Sequence, residues 1–178
     1  AAAQRLTTDP DLKRLATVIA GISLSANTTR LEVFALGKRV YVAEEFLETP
    51  SLLAVLDEDG PLPAEEGWAI GCQILTALQF GHLRGLLHLD LRAENVHYDR
   101  PQHHAVLTDF GHMQLLLEMR PRLALADVAD ELQAPEIARG APPTPATEVY
   151  SVGVMLYQVL TGQLPPPPQV FGLHRGGG

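Results

Sequence analysis

Three short motifs follow one another in the second half of the chain. They read H-L-D-L-R-A-E-N over residues 88–95, T-D-F-G over 108–111 and A-P-E over 134–136. Each motif is weak alone, because a tripeptide such as D-F-G arises by chance in many chains. All three in this order and at this spacing are hard to obtain by accident. The ordered set therefore restricts the fold more than any other feature of the sequence.

The composition is that of one globular domain. The chain has 178 residues, of which 46% are hydrophobic and 19% charged, enough to bury a core and unlike a disordered segment. The net charge of −8 and the lack of a basic stripe argue against nucleic-acid binding, which needs clustered Lys and Arg. The longest nearly apolar stretch, 149–160, is shorter than the roughly 20 residues of a membrane span.

Cysteine usage and the start of the chain bear on the compartment. The N-terminus has no apolar core of the kind found in signal peptides. The single cysteine, Cys72, cannot form an intramolecular disulfide and fits a reducing, cytoplasmic compartment. Because Cys72 falls within a helical pattern, we expect a buried structural thiol.

Periodicity predicts strands first and helices later. Runs of β-branched residues and turn signals predict strands over 18–24, 31–36 and 39–46. Helices are predicted at 51–56, 63–82, 113–119 and 148–160, with a short hairpin before Asp109. Residues 142–145 read as a stiff connector.

The three motifs resemble the protein-kinase signatures H-R-D-L-x-x-x-N, D-F-G and A-P-E. Three longer segments extend the resemblance to roughly residues 9–168: VYVAEEFLETPSLLAVL, ILTALQFGHLRGLLHLDLRAENV and EVYSVGVMLYQVLTGQLPP. The resemblance implies an α+β, kinase-like fold in which truncated N-lobe strands and the hinge (9–46) precede a mainly helical C-lobe (47–168). Residues 169–178 would form a tail.

The resemblance also implies ATP and Mg²⁺ as cofactors and a protein as substrate or partner. Asp90 would accept or orient the proton of the substrate hydroxyl, and Arg92 would neutralise charge on the γ-phosphate. Asn95 and Asp109 would bind magnesium through oxygen atoms, the donors this cation prefers.

Three further residues match nucleotide-binding positions of the family. Glu45 and Leu47 match hinge positions whose backbone groups pair with adenine, and His97 matches the position beneath the adenine ring. By contrast, His103, His104 and His112 show no ligand spacing with a carboxylate, so a separate metal site is not expected.

The chain also departs from the family pattern. It shows no Gly-rich loop and no V-A-I-K strand, and neither Lys13 nor Lys38 is a convincing substitute. The simplest expectation is a fragment that lacks pieces at both ends. Glu44 occupies the gatekeeper position, and Glu148 replaces an Asp that anchors the catalytic loop.

A second group of substitutions bears on regulation. Leu89 replaces the catalytic-loop Arg, and Ala129 replaces a Thr that contacts the catalytic Asp. Between Gly111 and Ala134 there is no Ser, Thr or Tyr, so we expect no control by phosphorylation there.

Two functions remain open. The first is a protein kinase, serine/threonine in type, although Arg92-Ala93 also resembles some tyrosine kinases. The second is a pseudokinase module that binds partners without catalysis.

Overall fold

The computed structural model describes residues 2–21, 25–37, 39–120, 123 and 133–166. The chain begins with two helices, α1 (Ala2–Thr8) and α2 (Pro10–Gly21). The predicted strand over 18–24 is therefore wrong for residues 18–21, which end α2, and residues 22–24 lie outside the described part. Lys13 accordingly lies on a helix, and Lys38 is not among the described residues.

The start of α2 explains why residues 18–21 form a helix and not the predicted strand. The Asp9 carboxylate accepts hydrogen bonds from the backbone N–H groups of Asp11 (3.0 Å) and Leu12 (3.3 Å), which satisfies donors that a helix N-terminus leaves free. Pro10 takes the first helical position, where its fixed φ fits and its missing N–H costs nothing. The buried side chain of Ile19 then packs as part of a helix face.

Two antiparallel strands follow, β1 (Leu31–Leu36) and β2 (Arg39–Glu44). Both were predicted, but β2 ends two residues before Phe46. Their register places Leu31 opposite Glu44. The residues just before β1 attach this pair to the rest of the molecule: Thr29 N–H donates to the Leu107 carbonyl (3.2 Å), and Leu107 N–H donates to the Asn27 carbonyl (2.8 Å).

The rest of the described chain is mainly helical, as predicted. The helices are α3 (Leu52–Asp59), α4 (Ala64–His82), α5 (His112–Met119), α6 (Pro135–Ala138) and α7 (Pro145–Thr161). A short hairpin, β3 (Val96–Asp99) with β4 (His104–Leu107), lies between α4 and α5.

Helix α7 begins three residues before the predicted start at Glu148. Thr144 and Thr147 form a reciprocal capping box, and Pro145 takes the first position of the helix. The predicted connector over 142–145 therefore ends one residue early.

The core is centred on α4, which packs against α7 and β4. Two glycines allow the close approach of α7: a Cβ at Gly67 would lie 2.9 Å from Leu160 Cδ2, and one at Gly71 would lie 3.0 Å from Leu156 Cδ1. The opposite face of α4 is open to solvent. Cys72 lies on that face, because position 72 is about 200° around the helix from buried Ile70. The thiol is exposed, so the prediction of a buried thiol is wrong.

The architecture is α+β, with a small strand pair ahead of a mainly helical part, which confirms the predicted class. Among the described residues, no helix combines the length and the apolar character needed to cross a bilayer.

Candidate active site

The loop between α4 and β3 is organised around His88, whose side chain is fully buried. Its Nε2 lies 2.7 Å from the Thr108 carbonyl, and its Nδ1 lies 3.2 Å from the backbone nitrogen of Asp90. A neutral imidazole protonated at Nε2 satisfies both contacts, since Nε2–H donates to the carbonyl and Nδ1 accepts from the N–H. The ring also meets Phe110 edge-on, at 5.3 Å and 76°. His88 thus joins the loop to the start of the D-F-G segment.

Glu148 of α7 stabilises the same loop through its side-chain carboxylate. Its carboxylate is 2% exposed and accepts hydrogen bonds from the backbone N–H groups of His88 and Leu89, the latter at 2.8 Å. His82 Nε2 lies 2.5 Å from the other carboxylate oxygen. Leu89 adopts a positive φ of 67°, a conformation that a non-glycine residue keeps only when its surroundings hold it. The longer Glu side chain therefore still reaches the loop that the family anchors with Asp.

The proposed catalytic residues lie close together at the end of this loop. The Asn95 amide nitrogen donates to the Asp90 backbone carbonyl (2.8 Å) and to its carboxylate (3.1 Å). This leaves the Asn95 amide oxygen as the atom that can coordinate a cation. The Asp90 carboxylate is 45% exposed, with the Arg92 guanidinium 4.0 Å away; Arg92 also pairs with Glu94 at 3.1 Å. A half-exposed carboxylate beside a cation is accessible to an incoming substrate.

Asp109 follows β4 and is fixed by contacts on both sides. The backbone N–H of Thr108 donates to the Asn95 carbonyl (2.9 Å), so the two predicted magnesium ligands belong to adjoining segments. The N–H of Asp109 donates to the Glu44 carboxylate at 2.8 Å, and the Asp109 carboxylate lies 2.5 Å from His112 Nδ1. Asp109 has φ of 58°, the left-handed region that L-residues seldom occupy.

Glu44, Asp109 and His112 form a cluster of three ligand-type side chains whose donor atoms lie within 4.8 Å of one another. Burial raises the pKa of the Glu44 carboxyl above its usual value, although hydrogen bonds from Thr29 and Asp109 oppose the shift. The hydrogen bond from His112 lowers the pKa of Asp109. For His112, burial opposes protonation, but the hydrogen bond and charge of Asp109 outweigh it and raise the pKa of the imidazole.

The residues expected to contact adenine lie after β2 and on β3. The Glu45 backbone N–H donates to the Arg30 carbonyl (2.9 Å), and Leu47 is half-buried three residues beyond the end of β2. His97 Nδ1 lies 2.5 Å from the Thr49 carbonyl, which joins β3 to the segment leading into α3. These three positions remain predictions as nucleotide contacts. Ala129, expected near Asp90, lies outside the described residues.

Sequence reasoning missed the convergence of Glu44 and His112 on Asp109. His112 was expected to lack a carboxylate partner, but it stands three residues after Asp109 at the first turn of α5, and the two side chains meet. The separation of three residues at a helix start could have predicted this contact between the two side chains. Glu44 lies 65 positions before Asp109, and no local pattern could have connected them.

Comparison with known proteins gives the family. The sequence model of the protein kinase domain matches residues 17–170. The chain belongs to the protein kinase family. This confirms the resemblance drawn from the three motifs; the domain boundaries predicted above remain predictions.

The curated relatives are serine/threonine-protein kinases. The chain is 35% identical over 129 residues to PknK of Mycobacterium bovis, covering 71% of this chain and 11% of the relative. It is 34% identical over 141 residues to GIN4 of Saccharomyces cerevisiae, with 78% and 12% covered. It is 31% identical over 128 residues to the probable kinase PknB of Lactococcus lactis, with 70% and 20% covered. The chain thus spans 11–20% of the length of these relatives.

Two solved structures share the fold. The PknI kinase domain of Mycobacterium tuberculosis (C20A mutant) superposes with a TM-score of 0.70 at 20% identity, covering 94% of this chain and 64% of that one. Rad53 1–466 in complex with AMP-PNP gives a TM-score of 0.68 at 22% identity, with 89% and 40% covered. At these identities the likeness establishes the kinase-like fold alone.

Proposed function

We propose that this domain binds ATP with Mg²⁺ and transfers the γ-phosphate to a serine or threonine hydroxyl of a protein. The observation that carries the proposal is the joining of the three motif residues: Asn95 is hydrogen-bonded to Asp90, and its backbone carbonyl accepts from Thr108, next to Asp109. Phosphoryl transfer needs positioning and charge neutralisation more than covalent chemistry. This arrangement supports the positioning, and Mg²⁺ and Arg92 would neutralise the charge.

Each residue would have a distinct task. Asp90 orients the substrate hydroxyl and takes up its proton. Arg92 places positive charge beside that carboxylate, 4.0 Å away, where it can face a phosphate. Asn95 and Asp109 offer an amide oxygen and a carboxylate, hard oxygen donors that fit Mg²⁺. The metal, when bound, neutralises charge on the phosphates.

The nucleotide base would be held by the hinge. The backbone groups of Glu45 and Leu47 are proposed to pair with adenine, and His97 to lie beneath the ring. The relatives that are themselves serine/threonine kinases and the AMP-PNP complex of Rad53 support ATP and a hydroxyl acceptor of that type for this chain.

A pseudokinase module is the second candidate, and the Asp109–His112 contact favours it. The carboxylate proposed to bind magnesium is already paired with His112 at 2.5 Å. The Glu44 carboxylate, bound to the Asp109 backbone, adds negative charge where a nucleotide phosphate would approach. Both contacts oppose nucleotide binding, and a folded domain without turnover could still bind a protein partner.

The two candidates separate in a paired binding and transfer experiment. Calorimetric titration with ATP, with and without Mg²⁺, is carried out on the full chain and on Asn95→Ala and Asp90→Asn. A kinase site predicts Mg²⁺-dependent binding that Asn95→Ala weakens and that Asp90→Asn retains. Transfer of labelled phosphate to a mixed protein substrate should be abolished by Asp90→Asn. Folded protein without Mg²⁺-dependent binding contradicts the kinase proposal and favours the scaffold.

A further inference from the structure

The Glu44–Asp109–His112 cluster has the donor set of a transition-metal site. It combines one imidazole and two carboxylates from three separate elements: the end of β2, the loop after β4 and the first residue of α5. Donor atoms of the three side chains lie within 4.8 Å of one another. Zinc is bound by nitrogen and carboxylate oxygen at about 2.0–2.2 Å, so tetrahedral ligand atoms lie about 3.3–3.6 Å apart. Small side-chain adjustments bring the three donors into that range.

The Asp109–His112 contact can open to admit an ion. The carboxylate oxygen and Nδ1 are 2.5 Å apart, as expected for two groups that share a proton. A metal bound to both would need a separation wider by about 0.8–1.1 Å, given its usual bond lengths. Both side chains are partly exposed, 31% for His112 and 39% for Asp109, so an ion can reach the cluster from solvent.

His112 offers the cluster its Nδ1 nitrogen. Nδ1 faces the Asp109 carboxylate at 2.5 Å, so coordination through Nδ1 replaces the proton that the two groups share and lets Asp109 bind the same ion. Nε2, which is buried and has no hydrogen-bond partner among the described residues, then carries the imidazole proton.

We propose that Glu44, Asp109 and His112 bind a divalent transition-metal ion of the zinc class, with a fourth position open to water. Imidazole favours zinc-class ions over Mg²⁺, which prefers oxygen donors and keeps several waters. The site does not depend on the proposed kinase function, since none of its geometry uses Arg92, Asn95 or a nucleotide. It shares Asp109 with the proposed magnesium site, so occupancy by zinc removes a ligand from Mg²⁺.

Cobalt(II) tests the site directly, because its visible absorption reports coordination number and donor type. The full chain is titrated with Co²⁺ and then with Zn²⁺ as competitor, alongside His112→Asn, Glu44→Gln and His104→Asn. His104 on β4 is a matched control that lies outside the cluster. We expect one Co²⁺ ion to bind per chain, with a visible absorption spectrum typical of low coordination number. Affinity should fall at least 100-fold in His112→Asn, more than the roughly 10–100-fold cost of losing an outer-shell partner, and should be unchanged in His104→Asn.

Three outcomes would overturn the proposal: no Co²⁺ binding to folded wild-type chain, equal affinity in His112→Asn and wild type, or equal loss in His104→Asn. Folding of each variant is checked by circular dichroism. A wild-type measurement covers the case of an unfolded variant: Zn²⁺ should protect His112, but not His104, from carbethoxylation mapped by mass spectrometry, and equal modification of His112 with and without Zn²⁺ contradicts the site.

Asn95→Ala distinguishes this site from the proposed function. The variant should lose Mg²⁺-dependent ATP binding but keep wild-type affinity for Co²⁺. Loss of Co²⁺ binding in Asn95→Ala would contradict the ligand set proposed here. Retention of Co²⁺ binding in a chain that never binds ATP would refute the kinase proposal alone.

Discussion

Gly81, near the end of α4, is predicted to be a position where adding one methyl group is harmful. A Cβ built there would lie 2.2 Å from Cζ and 2.6 Å from Cε1 of Phe110, the fully buried aromatic residue of the D-F-G segment. Carbon atoms rest at about 3.5–4.0 Å, so the ring would have to move by about 1.3–1.8 Å. Because His88 packs against the same ring at 5.3 Å, that movement also disturbs the loop that carries Asp90.

The expected free-energy change combines two opposing effects. Alanine is a better helix former than glycine by up to about 1 kcal/mol, and this gain is smaller near a helix end. Overpacking a close-packed core costs about 1–3 kcal/mol. We therefore expect Gly81→Ala to lower the free energy of unfolding by about 1–2 kcal/mol, despite the improved helix propensity.

Gly153 provides the matched control. It lies inside α7, is exposed, and a Cβ there would meet nothing within 4 Å. Gly153→Ala should therefore raise the free energy of unfolding by about 0.5–1 kcal/mol. The same substitution in two helices is thus predicted to have opposite signs.

Urea denaturation followed by circular dichroism measures both variants. The denaturation midpoint should fall for Gly81→Ala and rise for Gly153→Ala, with the m-value unchanged. In a thermal scan, 1 kcal/mol corresponds to about 2–4 °C for chains of this size. If Gly81→Ala proved as stable as Gly153→Ala, the Phe110 ring would not occupy the position against α4 on which the reasoning depends.

Three further predictions concern other parts of the molecule. Burial and the neighbouring Glu66 carboxylate raise the pKa of Tyr98 to about 12 from 10, so the folded state holds this proton more tightly than the unfolded state. The stability gained in this way is present below pH 10 and should fall by up to about 3 kcal/mol as the pH rises to 12. The urea midpoint of Tyr98→Phe should not show this fall. Glu148→Ala should cost about 2–4 kcal/mol, since it removes the carboxylate oxygen Oε1 that accepts the backbone N–H groups of both His88 and Leu89. Glu65→Ala on the exposed start of α4 should change stability by no more than about 0.5 kcal/mol, and equal melting temperatures for the two would contradict this role. The exposed thiol of Cys72 should react with an aromatic disulfide reagent in the native chain as completely as in urea, whereas protection in the native chain would contradict its position.

The helices of the core were predictable because their signals are local. Pro63, the acids after it and the apolar spacing that follows predict α4 almost to the residue. The same spacing did not show which apolar residues are buried. Trp68 is 73% exposed, and the face toward α7 is made partly by Gly67 and Gly71, whose lack of a side chain gives no hydrophobic signal.

The strand predicted over 18–24 failed for a physical reason that the sequence did contain. Val18 and Ile19 favour strands by propensity, but Asp9 and Pro10 form a helix start eight residues earlier. A cap and a proline determine where a helix begins, and the apolar residues then follow the helix that is already under way.

The geometry of the candidate site was predictable only where its residues lie within a few positions of one another in the sequence. The hydrogen bonds of Asn95 to Asp90 join residues five positions apart. The position of Glu44 beside Asp109 instead depends on tertiary attachment of the strand pair.

Thr29 takes part in that attachment through two groups. Thr29 N–H donates to the carbonyl of Leu107, two residues before Asp109, while the Thr29 hydroxyl donates to the carboxylate of Glu44. One residue therefore fixes both β4 and the side chain at the end of β2, and Glu44 completes the connection by accepting the N–H of Asp109 at 2.8 Å. Because hydrogen-bond geometry permits only small changes in length and angle, these contacts hold the Glu44 side chain against the backbone of Asp109.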